Sequence, residues 1–239
     1  MIQIAGTDGH VIYEADQPTL AAALVAACTA RTSLQHANLS SAVLACIALP
    51  ESIFDGASFK NANLFAANFG RAFLGRAEFD GAILNLAQFT EAHMAGASLY
   101  MVHAVRANFH VTDLTEANAV GADFALADMT GVMMARANAG RASFRQARLV
   151  QAIFEDADLT RINATHANIR NANLRHAKMN NAILLSADLR GADLTGAEMA
   201  HVDLSFADLT GATIDGVHLQ GATYYETTLP DGQVRTDEA

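Results

Sequence analysis

Tryptophan is absent from the 239 residues, prolines number three, cysteines two, and only 7% of residues are aromatic. Cys28 and Cys46 make no CxxC pair, so neither a disulfide framework nor a thiolate metal site is written into the chain. They are expected as small buried side chains in a reducing compartment. Basic residues are scarce too: 15 Lys and Arg stand against 25 Asp and Glu, a formal charge of −10. That excess argues against nucleic acid or an anionic membrane as a direct partner. No apolar run approaches the ~20 residues of a membrane span. Met1-Ile2-Gln3-Ile4 lacks the basic start and apolar core of a signal peptide, so the expected location is the cytoplasm. What the chain does have is a 51% apolar content, too high for disorder, built from alanines and from large aliphatics spread one at a time.

Their spacing is regular. From Leu34 a large apolar residue recurs every five positions, through Leu39, Leu44, Leu49, Phe54 and Phe59 to Leu209 and Tyr224, which makes 39 repeats in one phase. Two residues before each centre stands Ala in 30 of the 39, and the residue between is Asn or Asp in 17, giving the motif A-(D/N)-L-x-x. A helix cannot use this period, because five steps of ~100° displace successive centres by ~140°. One continuous strand cannot either, since an odd period throws alternate centres to opposite sides. A short extended stretch followed by a turn satisfies it: Ala and Leu point inward, Asp or Asn outward, and the chain coils around its own core. Ala104, Ala119, Ala139 and Ala164 replace the large centre and are expected to compensate the volume of nearby Phe109, Phe124, Phe144 and Phe154.

On these motifs the sequence resembles the pentapeptide-repeat family over residues 34 to 224. The resemblance implies an all-β fold, a right-handed quadrilateral parallel β-helix with four pentapeptides per coil. About ten coils at ~4.8 Å would make a rod of roughly 47 Å. The ends read as follows. Residues 1–31 form an N-terminal cap of a β-hairpin (Ile2-Gln3-Ile4 with Val11-Ile12-Tyr13) and an α-helix over Leu20–Ala30, with Asp16 as its cap and Pro18 in its first turn. Residues 32–226 are the β-helix, and residues 227–239 are a hairpin around Pro230-Asp231-Gly232 with a frayed tail from Arg235.

No nucleophile elbow, P-loop, dinucleotide fingerprint or HExxH occurs, so no enzyme, cofactor or metal is expected. With four repeats per coil, residues twenty apart stack. His93 then lies beside Asp113 and His103 beside Asp123, on opposite sides and without a third ligand. A narrow packed tube is also expected to lack a cleft. Counted by face, the outward charges are uneven. The face of Leu34 carries Asp55, Asp113, Glu155, Asp193 and Asp215 against Arg175, a net of −4, while the next three faces carry −2, −1 and zero. Residues 136 to 178 are basic and residues 187 to 239 acidic.

Some members of the family resemble B-DNA in shape and charge, bind bacterial DNA gyrase and confer antibiotic resistance. The resemblance therefore implies a protein partner, DNA gyrase or a related type II topoisomerase, met by the five acids of the first face. The alternative is a scaffold presenting a flat β surface. Its candidate contact is apolar, Ile53 with Phe73 and Met133 with Ile153, for a protein partner or for a second copy in a homodimer.

Overall fold

The structure is a computed structural model, and it describes residues 1–237. From Asn38 to Thr228 residues twenty apart are joined by parallel bridges, Asn38↔Ser58, Val43↔Asn63, Ala48↔Asn68, Ile53↔Phe73 and onward without a break. Four five-residue sides thus complete one coil. We number coils from Leu34, the centres of coil 1 being Leu34, Leu39, Leu44 and Leu49, and call the sides that these begin the first to fourth faces.

Away from the two ends, each repeat forms the same backbone hydrogen bonds. The centre donates its N–H to the coil above, as Leu34 does to Ile53 O (2.8 Å), and the residue before the next centre donates to the coil below, as Ser58 does to Ala37 O (2.9 Å). The centre's own carbonyl accepts from the next alanine, closing a turn such as Ala37 N–H to Leu34 O (3.1 Å). Inside that turn every fifth residue from Arg31 to Glu226 has φ between 47° and 69°, and only ten of these forty corners are Gly. The left-handed corner redirects the chain inward again. With a turn on both sides of one bridged residue, no repeat lengthens into a strand. Among the described residues the strands are confined to the two ends.

One N–H per repeat, on the residue after the centre, is left over by the coil. In all seventeen repeats with Asn or Asp before the centre, the side-chain Oδ1 accepts that N–H at 2.9–3.4 Å. This Asx turn is the physical reason for D/N in the motif. In three further repeats the acceptor comes from one coil below: Asp55 serves Gly75, Asn85 serves Val105 and Asn180 serves Ala200.

The core is a continuous column. Phe69, Phe89 and Phe109 stack on the fourth face at 5.5 and 5.0 Å, and Phe59 stacks on Phe79 at 5.0 Å. Ala104, Ala119, Ala139 and Ala164 are fully buried within it. Among the described residues no helix is long and apolar enough to cross a membrane.

At the N-terminal end β1 (Ile2–Ala5) pairs antiparallel with β2 (Val11–Ala15), and α1 (Leu20–Thr29) buries Ala23, Leu24 and Ala27 on the column. The hairpin joins coil 1 through Asn38 N–H to Ala5 O (2.8 Å). The helix cap is Thr19, not Asp16. Thr19 is the last extended residue (φ −141°, ψ 158°) and its Oγ1 accepts from Ala22 N–H at 3.1 Å, while Pro18 precedes the cap instead of lying in the first turn. Asp16 is exposed, 3.9 Å from the terminal amine.

At the other end β3 (Thr227–Thr228) pairs antiparallel with β4 (Val234–Arg235). Residues 235–237 are held down, against the expectation of fraying: the Arg235 guanidinium lies 3.7 Å above the Tyr224 ring and pairs with Asp237, whose N–H donates to Tyr224 O. Glu238 and Ala239, the rest of the expected tail, lie outside the described residues. This hairpin covers only half of coil 10. Ile214 is 38% exposed, and the N–H groups of Ile214, Gly216, Leu219 and Gly221 meet no acceptor among the described residues.

Candidate protein-binding surface

The first face presents two outward columns. The column before the centres runs Ile53, Phe73, His93, Asp113, Met133, Ile153, Asn173, Asp193, Thr213, one residue per coil. The column after the centres holds Asp55, Glu155, Arg175 and Asp215. All five candidate acids therefore occupy one side, but they are not equivalent. Asp113 Oδ1 accepts Thr115 N–H, and Asp55 Oδ1 accepts Gly75 N–H. Glu155 accepts from Asn173 Nδ2 at 3.3 Å. Asp193 accepts from Thr195 N–H and Oγ1 and pairs with Arg175 at 3.1 Å. Its carboxyl is held below the usual range first by the Thr195 hydroxyl, then by the Thr195 N–H and Arg175, against some desolvation. Asp215 is exposed at the open end. Turn geometry thus engages acids that the charge count treats as free.

The apolar candidates stack in the two pairs expected, Ile53 on Phe73 and Met133 on Ile153. Ile53, Phe73 and, three coils further on, Met133 line the floor of a groove of about 720 Å³, and Ile153 stands one coil past it. The groove is a feature that the packed-tube expectation missed. The tube itself is filled, and the concavity is external, where the end of α1 (Cys28, Thr29) overhangs the first face. Its side is the corner column Glu51, Arg71, Glu91, with Arg71 between the two glutamates at 3.5 and 3.6 Å. Phe73 and His93 stack at 4.9 Å along the floor. Burial pushes the Cys28 thiol up to about 11, opposed by the Ser52 hydroxyl, so it remains a neutral thiol. The fixed charges lining the groove are Glu51, Glu91 and Asp113 against Arg31 and Arg71.

His93 does neighbour Asp113, and His103 neighbours Asp123, through the ladder bridges. Neither pair is within ion-pair distance, and among the described residues no group of three or more His, Cys, Asp or Glu could hold a metal. Carboxylates are tied down on other faces too, such as Asp188 under the Arg190 guanidinium on the fourth face.

A family model described as pentapeptide repeats matches in eight overlapping or adjoining copies that together span residues 32–181 and 187–223. Among solved structures the chain is similar to HetL, a pentapeptide repeat protein involved in heterocyst differentiation regulation from the cyanobacterium Nostoc sp. strain PCC 7120. The two share 26% identity, with 89% of this chain and 98% of that one covered and a TM-score of 0.44. It is also similar to trypsin-treated QnrB1, a plasmid-mediated fluoroquinolone resistance protein, at 23% identity, 73% and 88% coverage and a TM-score of 0.43. A pentapeptide repeat protein of the Arabidopsis thaliana thylakoid lumen aligns at 22% identity, 52% and 72% coverage and a TM-score of 0.29. No curated protein matches.

Proposed function

The chain belongs to the pentapeptide-repeat family, and from that premise we propose that its stacked coils are a right-handed quadrilateral β-helix serving as a rigid, non-catalytic module that binds a protein on its first face. The observation that carries this reading is the coincidence on one side of the largest net charge, −4, and the groove floored by Ile53, Phe73 and Met133. A rigid surface of this kind binds with little backbone ordering cost, which favours recognition by shape.

The partner we assign is DNA gyrase or a related type II topoisomerase, whose DNA-binding saddle is basic. Charge alone is a thin basis for such mimicry. B-DNA presents about 27 charges over ~47 Å, whereas the first face offers five acids. Contact with the groove must supply the rest.

A supercoiling assay with and without quinolone, run at several salt concentrations, tests the assignment. We expect inhibition or drug protection that weakens as salt rises, and that is lost when Asp55, Asp113, Glu155, Asp193 and Asp215 are all changed to their amides. The amides keep the Asx hydrogen bonds and remove only charge. Unchanged supercoiling at every salt concentration removes gyrase as the partner. The groove would then favour the second reading, a scaffold that receives an apolar segment of another protein.

A further inference from the structure

Exposed apolar side chains gather on the third face over coils 1 to 5, opposite the acidic face. Val43 is 78% exposed, and Phe65, Ile83, Leu86 and Leu126 lie between 39% and 42%. At the corner entering this face Met101 is 51% exposed. The bridges Val43↔Asn63↔Ile83↔His103↔Asp123 set one row, while Cys46, Leu86 and Leu126 share a corner column. Across these coils the face and its two corners hold Arg106 and Asp123 as their only fixed charges.

At roughly 200 Å² per large side chain, these six expose on the order of 600 Å². A monomer's largest apolar patch is about 300–600 Å², and each partner in a standard interface contributes about 800 Å². The patch therefore has nearly the size of a stable contact before its polar rim is counted.

We propose that this surface is the interface of an antiparallel homodimer centred on coil 3. A second copy fits for two electrostatic reasons. Each copy carries −10, and contact through the third faces leaves the two acidic first faces outermost, as far apart as the fold allows. A parallel pairing would set Arg141, Arg145 and Arg161 of coils 6 and 7 level with the same residues of the other copy. The antiparallel pairing carries them past the other copy's coil 1 instead. It brings Leu86 to Leu86 and places Cys46 level with Leu126 of the other copy. The inference is independent of the first-face reading, which survives if the dimer does not.

Sedimentation equilibrium across micromolar concentrations tests it. The chain should dimerise, and Leu86→Glu and Val43→Glu should each weaken the dimer about tenfold or more, while Phe73→Asp on the first face leaves it intact. Both glutamates replace exposed side chains, and circular dichroism checks that the fold is kept. Under mild oxidation Leu126→Cys should yield a disulfide-linked dimer that disappears when Cys46→Ser is added. A monomer at every concentration, a dimer that survives both glutamates, one dissociated by Phe73→Asp, or one that never forms the cross-link would each overturn the proposal.

Discussion

The imidazole of His176 lies over Gly196, twenty residues later, so closely that a Cβ on that glycine would fall 2.5 Å from Nδ1. Both residues are left-handed corners of consecutive coils (φ 56° and 68°). A corner side chain leans along the axis onto the next corner, and a glycine there makes the room. His36 over Gly56 and His201 over Gly221 repeat the arrangement.

Gly196→Ala should therefore destabilise the protein by more than Gly211→Ala. Both alanines sit at a left-handed corner (φ +68° and +69°), but the Gly211 site has nothing within 4 Å. We expect about 1 kcal/mol for Gly211→Ala and roughly 0.5–1.5 kcal/mol more for Gly196→Ala, where the exposed His176 imidazole must leave its rotamer to make room. Adding His176→Ala to Gly196→Ala should return the cost to the Gly211 value in thermal melts.

Val111 is a β-branched residue at a corner with φ 54°, a conformation in which such side chains are strained. Val111→Asn relieves the strain, because Asn adopts the left-handed region readily. A gain of about 0.5–1 kcal/mol, seen as a raised denaturant midpoint, is the expected outcome; a lowered midpoint would mean that the packing of Val111 along the groove outweighs its backbone strain.

Acid should weaken the fold through Asp188 and Asp193. Both have folded-state pKa values below the usual one, Asp188 through the Arg190 guanidinium and Asp193 through the Thr195 hydroxyl. A depressed carboxylate contributes stability that is present above its unfolded pKa, about 3.9, and is lost as pH falls through the folded value. The melting temperature should therefore drop below pH ~4. Asp193→Asn keeps the Asx acceptor and loses the charge, so its melting temperature should fall less steeply over the same range.

Phe89 stands between Phe69 and Phe109 in the longest ring stack, at 5.5 and 5.0 Å. Phe89→Ala should cost about 3–5 kcal/mol, and Ala104→Leu, at a fully buried centre, about 1–3 kcal/mol by overpacking. A small loss in denaturant melts for Ala104→Leu would mean that the column has spare volume there.

The inward half of this fold can be read from the sequence because Ala and Leu recur at fixed positions, and the Asx turn leaves its own trace as Asn or Asp. The corners leave almost none. Thirty of the forty left-handed corners are not Gly, since the ladder bonds on either side impose the conformation on Arg, Glu, Met or Val alike. The helix cap was misread because Asp16 and Thr19 are both capping types, and only backbone geometry distinguishes them. The first-face acids fell on one side once residues twenty apart were stacked. The groove did not show, because its wall comes from α1, outside the repeat. The third-face patch did leave a signal, in Val43 and Ile83 and in Leu86 and Leu126, each pair two coils apart, which a charge count passes over.

A register that never slips also fixes angles. Because a coil closes in twenty residues, the sequence separation of two surface features, taken modulo twenty, gives the rotation between them, and the number of whole coils gives their distance at ~4.8 Å each. Deleting one pentapeptide between Ile153 and Asn173 would keep the core and every ladder bond type, yet turn all that follows by a quarter revolution. Asp193 and Asp215 would swing away from the groove without any of them being mutated. In such a molecule chain length acts as a dial for surface composition, and an insertion of five residues is a larger functional change than an insertion of twenty.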